Sequence, residues 1–244
     1  MQKDGKSGFT LIELSVVLII IGLVAVSIVS GRTIVQASES RAVMAEIRKH
    51  MQSFSLFSER YRAYPGDFRN ASTVFKTAID AAVAGSAIGL TPGDYNGNGN
   101  NQVEWANAEG VKAWAQLALA GLGDATSINA DPRSTNGTLR VNIPASNIGG
   151  GGNGYFINYS PTMQNYLGLG GAQTTGINDR SALSPDRAEA IDKKMDDDNP
   201  IGGLVQAQNG TPPPASNCTN TLNGYNLGSS AGDTISCILM IRLN

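Results

Sequence analysis

Apolar and polar positions follow three different patterns along this chain. From Phe9 to Gly31 the residues are apolar or small, with Glu13 the single charge. As a helix this stretch is about 34 Å long, enough for a bilayer core of about 30 Å. From Arg32 to Tyr64 there is neither glycine nor proline, and Val43, Ile47, Met51, Phe54, Phe57 and Tyr61 recur at spacings of three and four. The helix is therefore expected to continue in amphipathic form. Its stripe would pack on a globular part, leaving Glu39, Arg41, Glu46, Arg48 and Arg60 for solvent or neighbours. Pro65 and Gly66 in "YPGDF" stop it, because proline disfavours helical geometry at the residue before it.

After Thr91 the periodic segments are short and separated by Gly, Asn and Ser. Residues from Ala106 to Leu122 have helical periodicity, with Val111, Trp114, Ala115, Leu117 and Ala118 on the apolar face. "YFINYS" and "SCILMIRL" read as strands, and Ser184 and Pro185 open a short helix with its body from Arg187 to Met195. Ala78 to Leu90 fits a short helix or a loop equally well. The expected fold is α+β: a long N-terminal helix over 9–31 and 32–64, packed on a loop-rich head over 65–244 with an antiparallel sheet.

Composition narrows the function classes. A formal net charge of -2 offers no surface for a polyanion, so no nucleic acid is expected as a partner. The chain has one histidine, His50, no H-E-x-x-H, and no evident nucleophile–base or paired-carboxylate set, which argues against an enzyme. His50 itself reads as structural or exposed. Lys3 and Lys6 ahead of the apolar stretch favour keeping that end in the cytoplasm and the head outside. The two cysteines, Cys218 and Cys237, would be buried thiols in the cytosol, whereas in an oxidising compartment they would form a bridge. With the head outside, the bridge is the expectation. A secretory signal peptide would need cleavage near the poor "AVS" site at Ala25 to Ser27. A plain anchor helix would leave Glu13 unexplained, since an intramembrane carboxylate costs roughly 2.5 kcal/mol or more.

The stretch "GFTLIEL" from Gly8 to Leu14, behind a short basic leader and at the start of an apolar helix, closely resembles the cleavage and methylation motif of type IV prepilins and type II secretion pseudopilins. The resemblance implies a leader over 1–8, cleavage after Gly8 by a prepilin peptidase, and N-methylation of Phe9. It implies that Glu13 neutralises the N-terminal amine of a neighbouring subunit during assembly, a pairing that would also set the stagger between helices. Many pilins carry a proline late in this helix; here none precedes Pro65, and only Gly22 and Gly31 could loosen it. "YPGD", "GDYNGNGN", "LALAGL" and "AIDKKMDDDNP" further resemble a little-described subgroup of prepilin-like proteins.

Three loops invite chemical readings. Asp94, Asn96, Asn98, Asn100 and Glu104 are spaced so that several oxygens could converge on Ca2+, and calcium sites in related pseudopilins favour that reading. The loop is not an EF-hand, for Trp105 stands where the closing acid belongs, and a metal-free Asn-Gly turn needs the same residues. No cofactor is otherwise required. "GGGGNG" at 149–154 satisfies G-x-G-x-x-G but precedes a strand, so a linking loop is expected and not a dinucleotide site. Asp196 to Asp198 form a solvated turn or a second cation site, and "TPPPAS" an exposed linker.

Taken with the resemblance, the chain is expected to be a filament subunit, with a type II secretion pseudopilin as the alternative. The expected partners are copies of itself and other pilins, the prepilin peptidase, an inner-membrane assembly platform, and the membrane before assembly. The expected location is the bacterial inner membrane, then a periplasmic or surface filament.

Overall fold

The computed structural model describes residues 10–211, 217–228 and 234–243, apart from the side chains at 28–33 and 149–150. The expected linker at 212–216 lies outside these residues. The chain divides into two compact units, Met1–Glu39 and Ser40–Asn244. Helix α1 (Leu11–Tyr61) begins in the first and ends in the second. The predicted continuation of the apolar helix is therefore present. It ends three residues before Tyr64, where Arg62 adopts φ 54° and its amide still bonds Ser58 O at 2.9 Å, a left-handed C-terminal cap.

From Ser40 onward the apolar stripe is inside as predicted: Val43, Ile47, Phe54 and Phe57 are buried, with Met51 and Tyr61 packed against the core. Phe57, Tyr61, Phe68 and Phe75 form one aromatic cluster, with ring centroids 4.6–6.5 Å apart. "YPGDF" thus returns Phe68 to the helix that it terminates. Glu46 is not left to solvent. Its Oε2 accepts from Tyr155 OH at 2.8 Å and Ser146 Oγ at 3.0 Å, and its Oε1 accepts from Asn147 Nδ2 at 2.5 Å. A carboxylate on the flank of the stripe is usually exposed; these partners from the segment at 146–155 turn it inward.

Short helices α2 (Ala71–Val74) and α3 (Lys76–Ala84) follow, the latter overlapping the first half of the stretch from Ala78 to Leu90 that sequence left open. Helix α4 spans Glu109–Leu119, starting later than expected because Trp105–Asn107 form a 3-10 turn and Ala108 sits at φ 60°. The head's sheet has four antiparallel strands in the order β1-β2-β4-β3: β1 (Asn153–Ser160), β2 (Gln164–Gly171), β3 (Val205–Asn209) and β4 (Cys237–Arg242). Helix α4 packs on β1, and α5 (Pro185–Met195) on β3 and β4. The central strands β2 and β4 are therefore apolar on both faces. Phe156 stands opposite Gly168, where a Cβ would come within 2.1 Å of its ring. The glycine in "LGLGG" is room for an aromatic side chain lying across the strand.

Cys218 and Cys237 are disulfide-bonded. The bridge fastens the segment before β4 to that strand, and Asn226 N bonds Cys218 O at 3.0 Å, extending the tie. Closing a loop of this length is worth about 3 kcal/mol. Reduction, or a Cys218→Ser and Cys237→Ser double variant, is expected to lower stability by that order; thermal melts with and without reductant measure it.

Candidate functional site

Two regions carried functional expectations: the start of α1 and the loop between α3 and α4. The residues proposed for processing, Gly8 and Phe9, lie outside the described residues. The described chain opens on Thr10, whose amide and hydroxyl both donate to Glu13 Oε2, at 2.8 and 2.9 Å, while Glu13 N donates to Thr10 Oγ1 at 3.3 Å. This is a reciprocal capping box, Ser or Thr at the N-cap and Glu three residues later. "TLIE" contains that signal. The assembly reading of Glu13 overlooked it, so Glu13 has an intrachain task at the helix start in addition to any role between subunits.

The apolar side chains from Leu11 to Val26 are 47–89 % exposed on every side of the helix. A helix that is apolar all round calls for an apolar surround, either lipid or other helices. Among the described residues no helix is long and apolar enough to cross a membrane. The described side chains of this stretch run to Ser27, about 24 Å along the axis from Leu11, before the gap at 28–33. The expected span, Phe9 to Gly31, extends past them at both ends.

The loop of the calcium expectation is organised around a carboxylate. Asp67, 1 % exposed, accepts at Oδ1 from the amides of Gly99 (2.6 Å) and Asn100 (2.9 Å) and at Oδ2 from that of Asn101 (2.8 Å). Glu109, also buried, takes the amides of Asn98 and Glu104 at 3.0 and 3.1 Å. Asn165 takes Val103 N at 2.8 Å, and Asn158 takes Trp105 N at 3.0 Å. The main chain thus turns its N–H groups inward, the polarity that receives an anion. Calcium needs oxygens turned inward.

Of the five residues proposed as ligands, Asn100 Nδ2 reaches Glu104 Oε2 at 3.5 Å and Asn98 Oδ1 takes the amide of Asn100, while the others have partners outside the set. Asp94 Oδ2 accepts from Thr91 N at 2.7 Å, in a second capping box. Asn96 is bonded to Ser72 through both ends of its amide. Asn98 and Asn100 each accept an amide two residues on, and Glu104 Oε2 accepts from Asn107 Nδ2 at 2.6 Å. Asn and Gly also meet turn geometry here: Gly99 sits at φ +74°, and a Cβ on Gly97 would lie 2.2 Å from Asp67 C.

The residues that organise this region were missed or given other roles. Asp67 lies within "YPGDF", read as a helix stop, and Glu109 looks like an ordinary first-turn acid. Gln116, fully buried in α4, accepts from Gly66 N at 2.6 Å and donates to Tyr95 O at 2.8 Å. A lone glutamine inside the apolar "VKAWAQLALAGL" is the signal that could have marked it. Burial raises the Glu109 pKa, against the two amides that lower it.

His50 packs between the rings of Trp114 and Tyr155, at 5.1 and 4.7 Å. A concavity of about 900 Å³ lies beside it, lined in part by Lys49, Trp114 and Arg140. Burial, with the charge of Lys49 adding, holds the imidazole pKa down to about 4. The ring is therefore neutral and packed near pH 7, as its structural reading implied.

Residues 3–29 match the model of the prokaryotic N-terminal methylation motif, the prepilin signature of type IV pilins and pseudopilins. No curated protein and no solved structure matches the chain.

Two outcomes follow for the head. Asp67→Asn places an amide N–H against donors and is expected to cost about 2 kcal/mol or more, with Asp67→Ala worse, in denaturant melts. His50 has a folded pKa below its unfolded value, so its contribution is full above pH 6.5 and is lost as pH falls towards 4. The amount is of order 3 kcal/mol. Melting temperature should decline over that window, and His50→Gln should flatten the decline.

Proposed function

We propose that this protein is a structural subunit of a type IV pilus-like filament, made as a membrane-anchored precursor and assembled through the helix that begins at Leu11. The observation carrying this reading is the methylation motif at residues 3–29, set directly against a helix whose apolar side chains face outward all round. Such a helix is stable in lipid before assembly and among its own copies afterwards. Exchange between the two environments needs no change in its covalent surface.

Processing after Gly8 would leave Phe9 as a new N-terminus, one residue before the Thr10–Glu13 cap. In a bundle of such helices the ammonium of one subunit meets the Glu13 carboxylate of another. A buried charge left unpaired costs several kcal/mol, so stagger is selected by the need to match each pair. The Thr10 contacts hold the carboxylate at the helix start before its partner arrives. The head supplies the exposed surface of the filament, and the disulfide agrees with its residence in an oxidising compartment. The one histidine is neutral and packed between rings, which supports a structural task over a catalytic one.

Mass spectrometry of the mature protein from native membranes and sheared filaments tests this directly. An N-methylated Phe9 and loss of residues 1–8 are expected; retained Met1 or a cut after Ser27 would sink the reading. Glu13→Gln should still be processed yet yield no filaments, scored by electron microscopy, and normal filaments would remove the pairing role. Labelling of heads on intact cells would show a surface filament, whereas heads reached only after the outer membrane is opened would place the chain in a secretion pseudopilus.

A further inference from the structure

The concavity of about 900 Å³ beside His50 lies wholly within the unit Ser40–Asn244. Its volume is in the range of small-molecule sites, about 300–1,000 Å³. Helix α1 supplies Glu46, Lys49 and Gln52 to its lining, α4 supplies Trp114, and the loops at 121–127 and 140–147 supply Asp124 and Arg140. The acceptors of the two acids are engaged within the chain. Both oxygens of Glu46 are taken by Asn147, Ser146 and Tyr155, and Asp124 Oδ1 takes the amide of Thr126 at 3.0 Å. The donors are open: among the described residues the side chains of Lys49, Gln52 and Arg140 have no hydrogen-bond or ion-pair partner. Trp114 is 3 % exposed, and its indole N–H is unpaired as well.

The backbone fixes Arg140 in this lining. The residue sits at φ 61°, and its amide bonds Ile143 O at 2.9 Å. Its guanidinium lies against Gly151, itself at φ +85°, where a Cβ would come within 2.7 Å of Arg140 Nη2. The glycine run that carries no dinucleotide site therefore has a use: a side chain at 151 would displace the cation. Lys49 is held on a helix whose next residue, His50, is packed between two rings. With the imidazole pKa held down to about 4, Lys49 and Arg140 are the cations of the lining near pH 7.

We propose that this concavity binds a sugar acid, a hexuronate whose carboxylate is taken by Lys49 and Arg140 and whose hydroxyls meet Gln52 and the polar rim. Open donors beside engaged acceptors select a ligand that brings oxygen acceptors. An arginine held in one place offers a carboxylate two parallel N–H groups, and a lysine adds a point charge. The two acids balance the two cations in formal charge, so a ligand of high negative charge is disfavoured; one carboxylate on a neutral, hydroxylated body fits both facts. The Gln52 amide can donate to one hydroxyl and accept from another.

The site is independent of processing and filament assembly and is tested on the full chain purified in detergent. Sodium D-glucuronate, followed by saturation-transfer NMR, is expected to bind saturably with half-saturation of about 1 mM, the order for so small a ligand. Lys49→Gln and Arg140→Gln, both at exposed positions, should each weaken binding about tenfold or more, the loss of one charge-assisted contact, while circular dichroism is unchanged. Arg60→Gln, exposed on the same helix outside the concavity, should leave the affinity as it is. D-glucose, which lacks the carboxylate, and sodium acetate, which lacks the hydroxyls, should each bind at least about tenfold more weakly. Absence of saturable binding, unchanged affinity in both concavity variants, or an equal loss in Arg60→Gln would overturn the assignment. So would equal affinity for glucose, acetate or inorganic phosphate.

Discussion

Every main-chain amide from Gly97 to Trp105 needs an acceptor in a stretch with almost no regular secondary structure, and each finds one. Phe68 O, Asp67, Glu109, Asn165 and Asn158 receive most of them, and Asn98 and Asn100 the rest. Much of the head depends on this solution. It joins the turn after α1 to the loop, to the first turn of α4 and to β1 and β2, elements far apart in sequence. Removing a buried acceptor such as Asp67 breaks several of these bonds at once, at about 1 kcal/mol or more each.

The head has a second acidic centre with different surroundings. Around Asp67 a carboxylate is enclosed by amides and its charge is answered within the chain. Around Asp192 three carboxylates gather, and among the described residues Asp192 Oδ1 has no hydrogen-bond partner. Acidic composition is similar in the two segments. Backbone amides answer carboxylates in both, at Asp67 and at Asp196 and Asp197; what differs is one buried oxygen of Asp192 that lacks a donor among the described residues.

At the N-terminal end the constraint is different. The apolar surface from Leu11 to Val26 is exposed within one chain, and Glu13 is engaged by Thr10. The apolar surface gives the helix one requirement that a single chain leaves incomplete, an apolar surround.

Much of this was legible in the residues. The 3.6-residue stripe from Val43 to Tyr61 was readable because one helix face has to enter a core, and "YFINYS" and "SCILMIRL" because buried strands demand continuous apolar runs. "GFTLIEL" was readable because the methylation motif is a short linear stretch, and the cap inside it was equally legible in "TLIE". The sequence by itself therefore determined the helix, its apolar and amphipathic parts, the strands flanking the loops and the prepilin-type start, all of which depend on neighbours within a few residues. Tertiary structure alone decided that Glu46 turns inward, that Asp67 gathers the amides of the Asn-Gly loop, and that Asp192 meets Asp196 and Asp197. Those outcomes depend on which distant groups arrive within about 3 Å and with what polarity, and linear spacing does not encode the direction of a hydrogen bond.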